Sequence, residues 1–298
     1  MMHTFIYSRV FGAFCLLLVA AWPLWAEPTP AEVLDMFSSG AEAESNQPLP
    51  PELPVSSSTE PSSPEPQGPF FGPTSESGRA FLSVYIPYTR VVETEVQERL
   101  AEMKRTPSYE KLSAMRRKVV QAHSKTYKQA VKLANAHILD FETRLGEQVD
   151  STKTSLFIQK STFLVFLMDD TENRAFAAFP IAYGVHPDRG PKSDRGDLRT
   201  PESPAGEQTA VTTPFFAHPL VSDDPAPDNG CIERGIGVSS SDSRFDFLDD
   251  GWTVMLHGTP DRWCLGTRAS HGCIRLLPEH IRVMFNHVRD GTKIVITP

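Results

Sequence analysis

The sequence has no excess of positive charge: 29 Lys and Arg stand against 37 Asp and Glu, a net charge of −8. That balance cannot displace counterions from a phosphate backbone, which excludes a nucleic-acid binder. Its 18 glycines show no three-residue period and no phosphate-cradling loop, so collagen and the common nucleotide folds are excluded too. Cysteine is scarce. Four cysteines in 298 residues cannot be a small disulfide scaffold. Neither C-x-x-C nor H-E-x-x-H occurs, so a zinc site made from Cys264, Cys273, His257 and His271 lacks the usual ligand spacing. No metal and no cofactor are expected. Beyond residue 26 no apolar run approaches the ~20 residues that a membrane span requires.

Proline, by contrast, is abundant at 26 residues. Much of it falls between Ala41 and Ser75, where nine of 35 residues are proline, seven are serine, and none is Lys or Arg. Such a stretch cannot bury enough surface to fold, so residues 27–78 read as an extended acidic linker. Ahead of it, residues 1–26 have Arg9, an apolar core from Val10 to about Ala21, and a small residue, Ala26, before Glu27. This is the pattern of a cleaved secretory signal peptide, and it places the mature protein in the periplasm.

Gly78 to Ile86 reads as a short strand. From about Val91 to Gly146 the pattern turns helical, divided at Pro107. Leu112, Met115, Val119, Ala122, Ala130, Ala134, Ile138, Phe141 and Leu145 recur at three-and-four spacing. Residues 79–150 are therefore expected to form a helical hairpin region whose apolar stripe needs a partner surface, either the rest of the chain or a protein partner. From Ser155 onward, short aromatic and branched runs alternate with Gly- and Pro-bearing turns. Residues 152–298 thus read as a mainly β domain.

The chemistry concentrates in residues 252–276, WTVMLHGTPDRWCLGTRASHGCIRL. His257 ends an apolar run, and Cys273 sits in a glycine-bearing turn before another. A thiol attacks well only as thiolate, so a neighbouring imidazole must take its proton or lower its pKa. On these residues alone either His257 or His271 could serve Cys273. Gly272 permits close approach of backbone N–H groups, as an oxyanion site requires. Arg275 adds positive charge nearby.

This block resembles the active-site signature of the YkuD-type L,D-transpeptidase family. His257-Gly258-Thr259, Leu265-Gly266 and Ser270-His271-Gly272-Cys273-Ile274-Arg275 match its HGT…G…SHGCIR pattern. GPKSDRGDLRTPE upstream resembles its substrate-side loop, although Ser203 stands where the family has glycine. The resemblance implies a β-sandwich catalytic domain acting on peptidoglycan stem peptides through an acyl-enzyme on Cys273. His257 would be the base, oriented by the Gly258 carbonyl. Gly272 and Cys273 amides would form the oxyanion site, with His271, Arg275, Ser270 and Thr259 lining it. The acyl group, a diaminopimelate, would pass to a second stem, a D-amino acid, or a lysine of an outer-membrane protein. Transfer to water would make the same site a hydrolase. A non-enzymatic wall-binding or scaffold role is the third reading. With Cys273 as the working thiol, Cys231 and Cys264 are expected to be disulfide-bonded.

Overall fold

The computed structural model describes residues 75–103, 107–186, 192–204, 215–221, 233–248 and 253–298. The leader and almost all of the linker lie outside the described residues. The linker stops earlier than expected, because Ser75 already caps a helix, its side chain accepting from the Gly78 amide at 3.1 Å.

That helix, α1 (Glu76–Ala101), replaces the strand expected over residues 78–86. Its aromatic and branched residues look strand-like when read locally. In the structure Phe81, Leu82, Tyr85, Tyr88, Val92 and Val96 form one buried stripe that runs past Pro87. Pro87 lacks the N–H that would bond the Ser83 carbonyl, but both residues are exposed, so water can serve that carbonyl. Two further helices follow, α2 (Tyr109–Ala122) and α3 (Ser124–Arg144), separated only by His123 at φ −103°, ψ 22°. The helical region therefore has three helices rather than a hairpin.

The remainder is mainly β, as expected. Strands β1 (Thr154–Gln159), β2 (Leu164–Asp169), β3 (Arg174–Pro180), β5 (Phe215–Val221), β6 (Arg234–Ser240), β7 (Met255–Gly258), β9 (Ile274–Leu276) and β10 (Lys293–Thr297) form one sheet in the order β3-β2-β1-β10-β5-β6-β7-β9. β4 (Tyr183–Gly184) and β8 (Arg268–Ser270) pair separately and in parallel. Ala182 and Arg275 bridge the ribbon to the main sheet. A last helix, α4 (Pro278–Asn286), starts with Pro at its first turn.

Helices and sheet share one core. A single cluster of buried side chains runs from Phe81 and Val119 to Leu156, Phe179, Leu256 and Ile296. Tyr85 donates to the Phe163 carbonyl at 3.0 Å, and the Ala178 amide of β3 donates to His137 Nε2 of α3 at 3.1 Å. The partner surface of the helical stripe is therefore the β domain of the same chain. Gly266 shows how closely the layers approach: a Cβ there would lie 2.9 Å from Thr89 Cγ2, and its φ of +78° also favours glycine.

Candidate active site

The site is built on two parallel neighbours, β7 and β9. Their register pairs Leu256 with Ile274, His257 with Arg275 and Gly258 with Leu276. Side chains alternate along a strand, so Leu256, Ile274 and Leu276 enter the core while His257 and Arg275 face the other way. Cys273 stands immediately before β9, two residues ahead of Arg275. The Met255 backbone also hydrogen-bonds the Cys273 thiol, which ties the sulfur to β7.

His257 Nδ1 lies 2.7 Å from the Gly258 carbonyl. A carbonyl only accepts, so Nδ1 carries the hydrogen and Nε2 keeps its lone pair for a proton acceptor's role. Burial pushes the imidazole pKa down; its bond to Gly258 opposes that, and the Arg275 charge adds to it. Burial pushes the Cys273 thiol up, opposed by the Met255 backbone and by the charges of Arg275 and Lys192. The resting pair is therefore neutral thiol and neutral imidazole, the arrangement of a nucleophile with its general base rather than of a preformed ion pair.

The turn that carries Cys273 is fixed from both sides. Gly272 has φ +137°, and a Cβ there would stand 2.8 Å from the Arg199 carbonyl oxygen, so only glycine fits. Ser270 donates its hydroxyl to the Cys273 carbonyl and accepts the Gly272 amide at 3.0 Å. The Gly272 amide is thus engaged by Ser270 rather than free for its expected place in the oxyanion site. Thr200 donates to the Gly272 carbonyl at 2.7 Å and accepts the Gly184 amide at 3.0 Å. Its loop is held in turn by Asp197, which takes a buried ion pair from Lys192 at 2.7 Å and a bond from the Ser193 amide.

The other expected residues fall into place around this turn. Thr259 is buried and accepts the Asp261 amide at 3.2 Å, so it shapes the turn after β7. Arg275 stands 3.9 Å from Asp261 and beside the Cys264 thiol. His271 is exposed and stacked on Tyr109 of α2 with ring centroids 4.0 Å apart. His257, by contrast, is carried on the sheet itself, as a residue of β7.

Cys264 departs from expectation. It is a free thiol, wholly buried with Ala182 and Ala269, and desolvation raises its pKa to about 12. Its expected partner, Cys231, lies outside the described residues.

Sequence reasoning missed Tyr109 and the part played by Thr200. Thr200 had a signal, since it is the threonine of the RTPE segment. Tyr109 had none, lying 160 residues from the Ala269 carbonyl that its hydroxyl bonds at 3.1 Å.

Residues 153–296 match the family model of the YkuD L,D-transpeptidase catalytic domain. Over 46 residues the chain is 44% identical to a protein of Escherichia coli K12 named probable L,D-transpeptidase YcfS, a match that spans 15% of this chain and 14% of that protein. Among solved structures it is similar to an L,D-transpeptidase of Xylanimonas cellulosilytica at 13% identity and TM-score 0.31, covering 48% of this chain and 60% of that one. It is also similar to Bdellovibrio bacteriovorus Bd1075 at 16% identity and TM-score 0.34, covering 51% of this chain and 49% of that one. The chain thus spans about a seventh of that curated relative and about half to three-fifths of these solved chains.

Proposed function

We propose that the protein is a cysteine-dependent L,D-transpeptidase acting on peptidoglycan stem peptides, on the premise that residues 153–296, which match the YkuD L,D-transpeptidase catalytic-domain model, are its catalytic domain. The parallel pairing of β7 with β9 supports this reading, because it runs His257, its Nδ1 already engaged, beside Arg275 of the strand that Cys273 leads into. Nε2 takes the thiol proton as Sγ attacks the carbonyl carbon between diaminopimelate and D-alanine. The oxygen that gains charge is met by the Cys273 amide. The C–N bond then breaks, the imidazolium returns its proton to the departing amine, and a thioester remains. An acceptor amine repeats the sequence in reverse: its nitrogen attacks the thioester, His257 takes its proton, and the thiolate leaves and is reprotonated.

Lys192 and Arg275 make the surroundings of Cys273 positive, which suits the carboxylates of a stem peptide. The leader-like residues 1–26 support export to the periplasm, where peptidoglycan lies, with residues 27–74 as a tether. A second stem, a D-amino acid or a lysine on an outer-membrane protein would each supply the acceptor nitrogen. Water in its place makes the protein a hydrolase.

The test is covalent capture. Wild-type protein is expected to gain the mass of a carbapenem or a stem-tripeptide acyl group, and Cys273→Ala to gain neither. An adduct that persists in Cys273→Ala would overturn the assignment. With intact sacculi, 3→3 dimers are the expected product; shortened stems alone would favour the hydrolase.

A further inference from the structure

Two segments far apart in the chain meet at the edge of the site. Tyr109 opens α2, and its ring lies 24° from parallel to that of His271. Its hydroxyl is anchored on the Ala269 carbonyl, so the ring is held at its tip as well as on its face. Strand β8, which leads into His271, is gripped by α1 through a buried ion pair of Arg268 with Glu93, their side chains 1% and 8% exposed. The helices therefore fix both the position of His271 and the surface laid against it.

The charge around this stack differs from that around the nucleophile. Near Cys273 the charges are positive, and Lys192 Nζ would stand 3.6 Å from a Cβ on Gly272. Past His271 the character reverses. Glu110 follows Tyr109, is exposed, and has its carboxylate held below the usual range by Ser108, by its own backbone amide and by the nearby His271. A half-buried Tyr109 ring stacked on an exposed His271, beside an exposed carboxylate, fits a cationic amine on a hydrocarbon stem: the stem lies along the rings and the ammonium meets the carboxylate.

We propose that Tyr109 and Glu110 form the acceptor side of the site and set how the acyl-enzyme divides between an amine and water. Tyr109 acts as a positioning residue for His271 and as the platform for the acceptor's stem; Glu110 draws in the ammonium. The inference rests on the acyl-enzyme at Cys273 argued above. In the step concerned, the ammonium first gives one proton to solvent to become an amine; as the C–N bond forms the amine loses a second proton to His257, the C–S bond breaks, and the sulfur takes that proton back. Water in the same place gives a free carboxylic acid.

The decisive quantity is the ratio of cross-linked dimer to hydrolysed tripeptide when a diaminopimelate-containing tetrapeptide serves as donor and acceptor. That ratio is independent of how fast the acyl-enzyme forms. Tyr109→Ala is expected to lower it about tenfold, while Tyr109→Phe, which keeps the ring, recovers most of it. Glu110→Gln, on an exposed side chain that cannot unfold the protein, is expected to lower it about fivefold below saturation by raising the KM for acceptor. An unchanged ratio in Tyr109→Ala or Glu110→Gln, or an equal fall in Tyr109→Phe and Tyr109→Ala, would overturn the inference while leaving the enzyme assignment standing. A wild-type protein that forms no acyl-enzyme would instead overturn the assignment, and this inference with it.

Discussion

At the scale of single residues, Cys273 and His257 are shifted in opposite directions by the same cause, burial, and both shifts favour the uncharged form. Catalysis then depends on a neutral imidazole. The rate of acylation is expected to rise with pH through an apparent pKa below 6.5 and to be level across neutrality. His257→Gln should abolish that rise and leave a slow rate that climbs only as the thiol itself ionises, above about 9. Stopped-flow acylation by a chromogenic carbapenem between pH 5 and 9.5 measures both, and a wild-type profile that follows the thiol would show that His257 is not the base. The residues of the candidate site were legible together because they lie in one short segment, with glycines marking the tight places. The packing of the 263–269 turn, which buries Cys264 completely, depends on Ala182, far along the chain, and left no mark in that segment.

At the scale of elements, the helical layer is held to the sheet by buried histidines. His137 of α3 accepts the Ala178 amide, and His280 of α4 lies 2.8 Å from Asn135 Oδ1 of α3. Desolvation lowers both rings to about 4. The unfolded chain takes up these protons near 6.5 and the folded chain only near 4. Their contribution to stability is therefore complete above pH 6.5 and lost as pH falls toward 4. Between pH 7 and 5 the loss should approach roughly 2 kcal/mol per ring, with His257 and His287 shifting in the same direction. Urea midpoints are expected to fall over that range, and less steeply in His137→Gln; a midpoint flat from pH 7 to 5 would contradict it. The three-and-four spacing made α2 and α3 legible. The stripe of α1 was equally regular, but Pro87 and the run FLSVYI disguised it, and only the packing of Phe81, Tyr85 and Tyr88 against the β domain settles the period as helical.

At the scale of the molecule, the helices and the β domain fall within one compact unit, so they cannot be separated without cost. A fragment of residues 150–298 would expose the face of β3 that α3 covers and lose both the Tyr109–His271 stack and the Glu93–Arg268 pair. Removing one partner of a buried ion pair typically costs about 3–5 kcal/mol. The fragment is expected to aggregate or to melt without a cooperative transition, as thermal circular dichroism would record. A cooperative melt near that of the whole chain would show that the helices are dispensable. Hydrophobic period distinguishes a helical from a mainly β region but cannot show that the two share a core, since the contacts joining them are distant along the chain. The sheet carries a further consequence of this kind. Its strand farthest along the chain, β10, stands between β1 and β5, with β3, β2 and β1 on one side and β5, β6, β7 and β9 on the other. Until residue 297 has left the ribosome the place between β1 and β5 stays unfilled, and the two parts of the main sheet meet through the β4–β8 ribbon and the Ala182–Arg275 bridge. The sheet is therefore completed last in synthesis, by a strand that has to enter its middle.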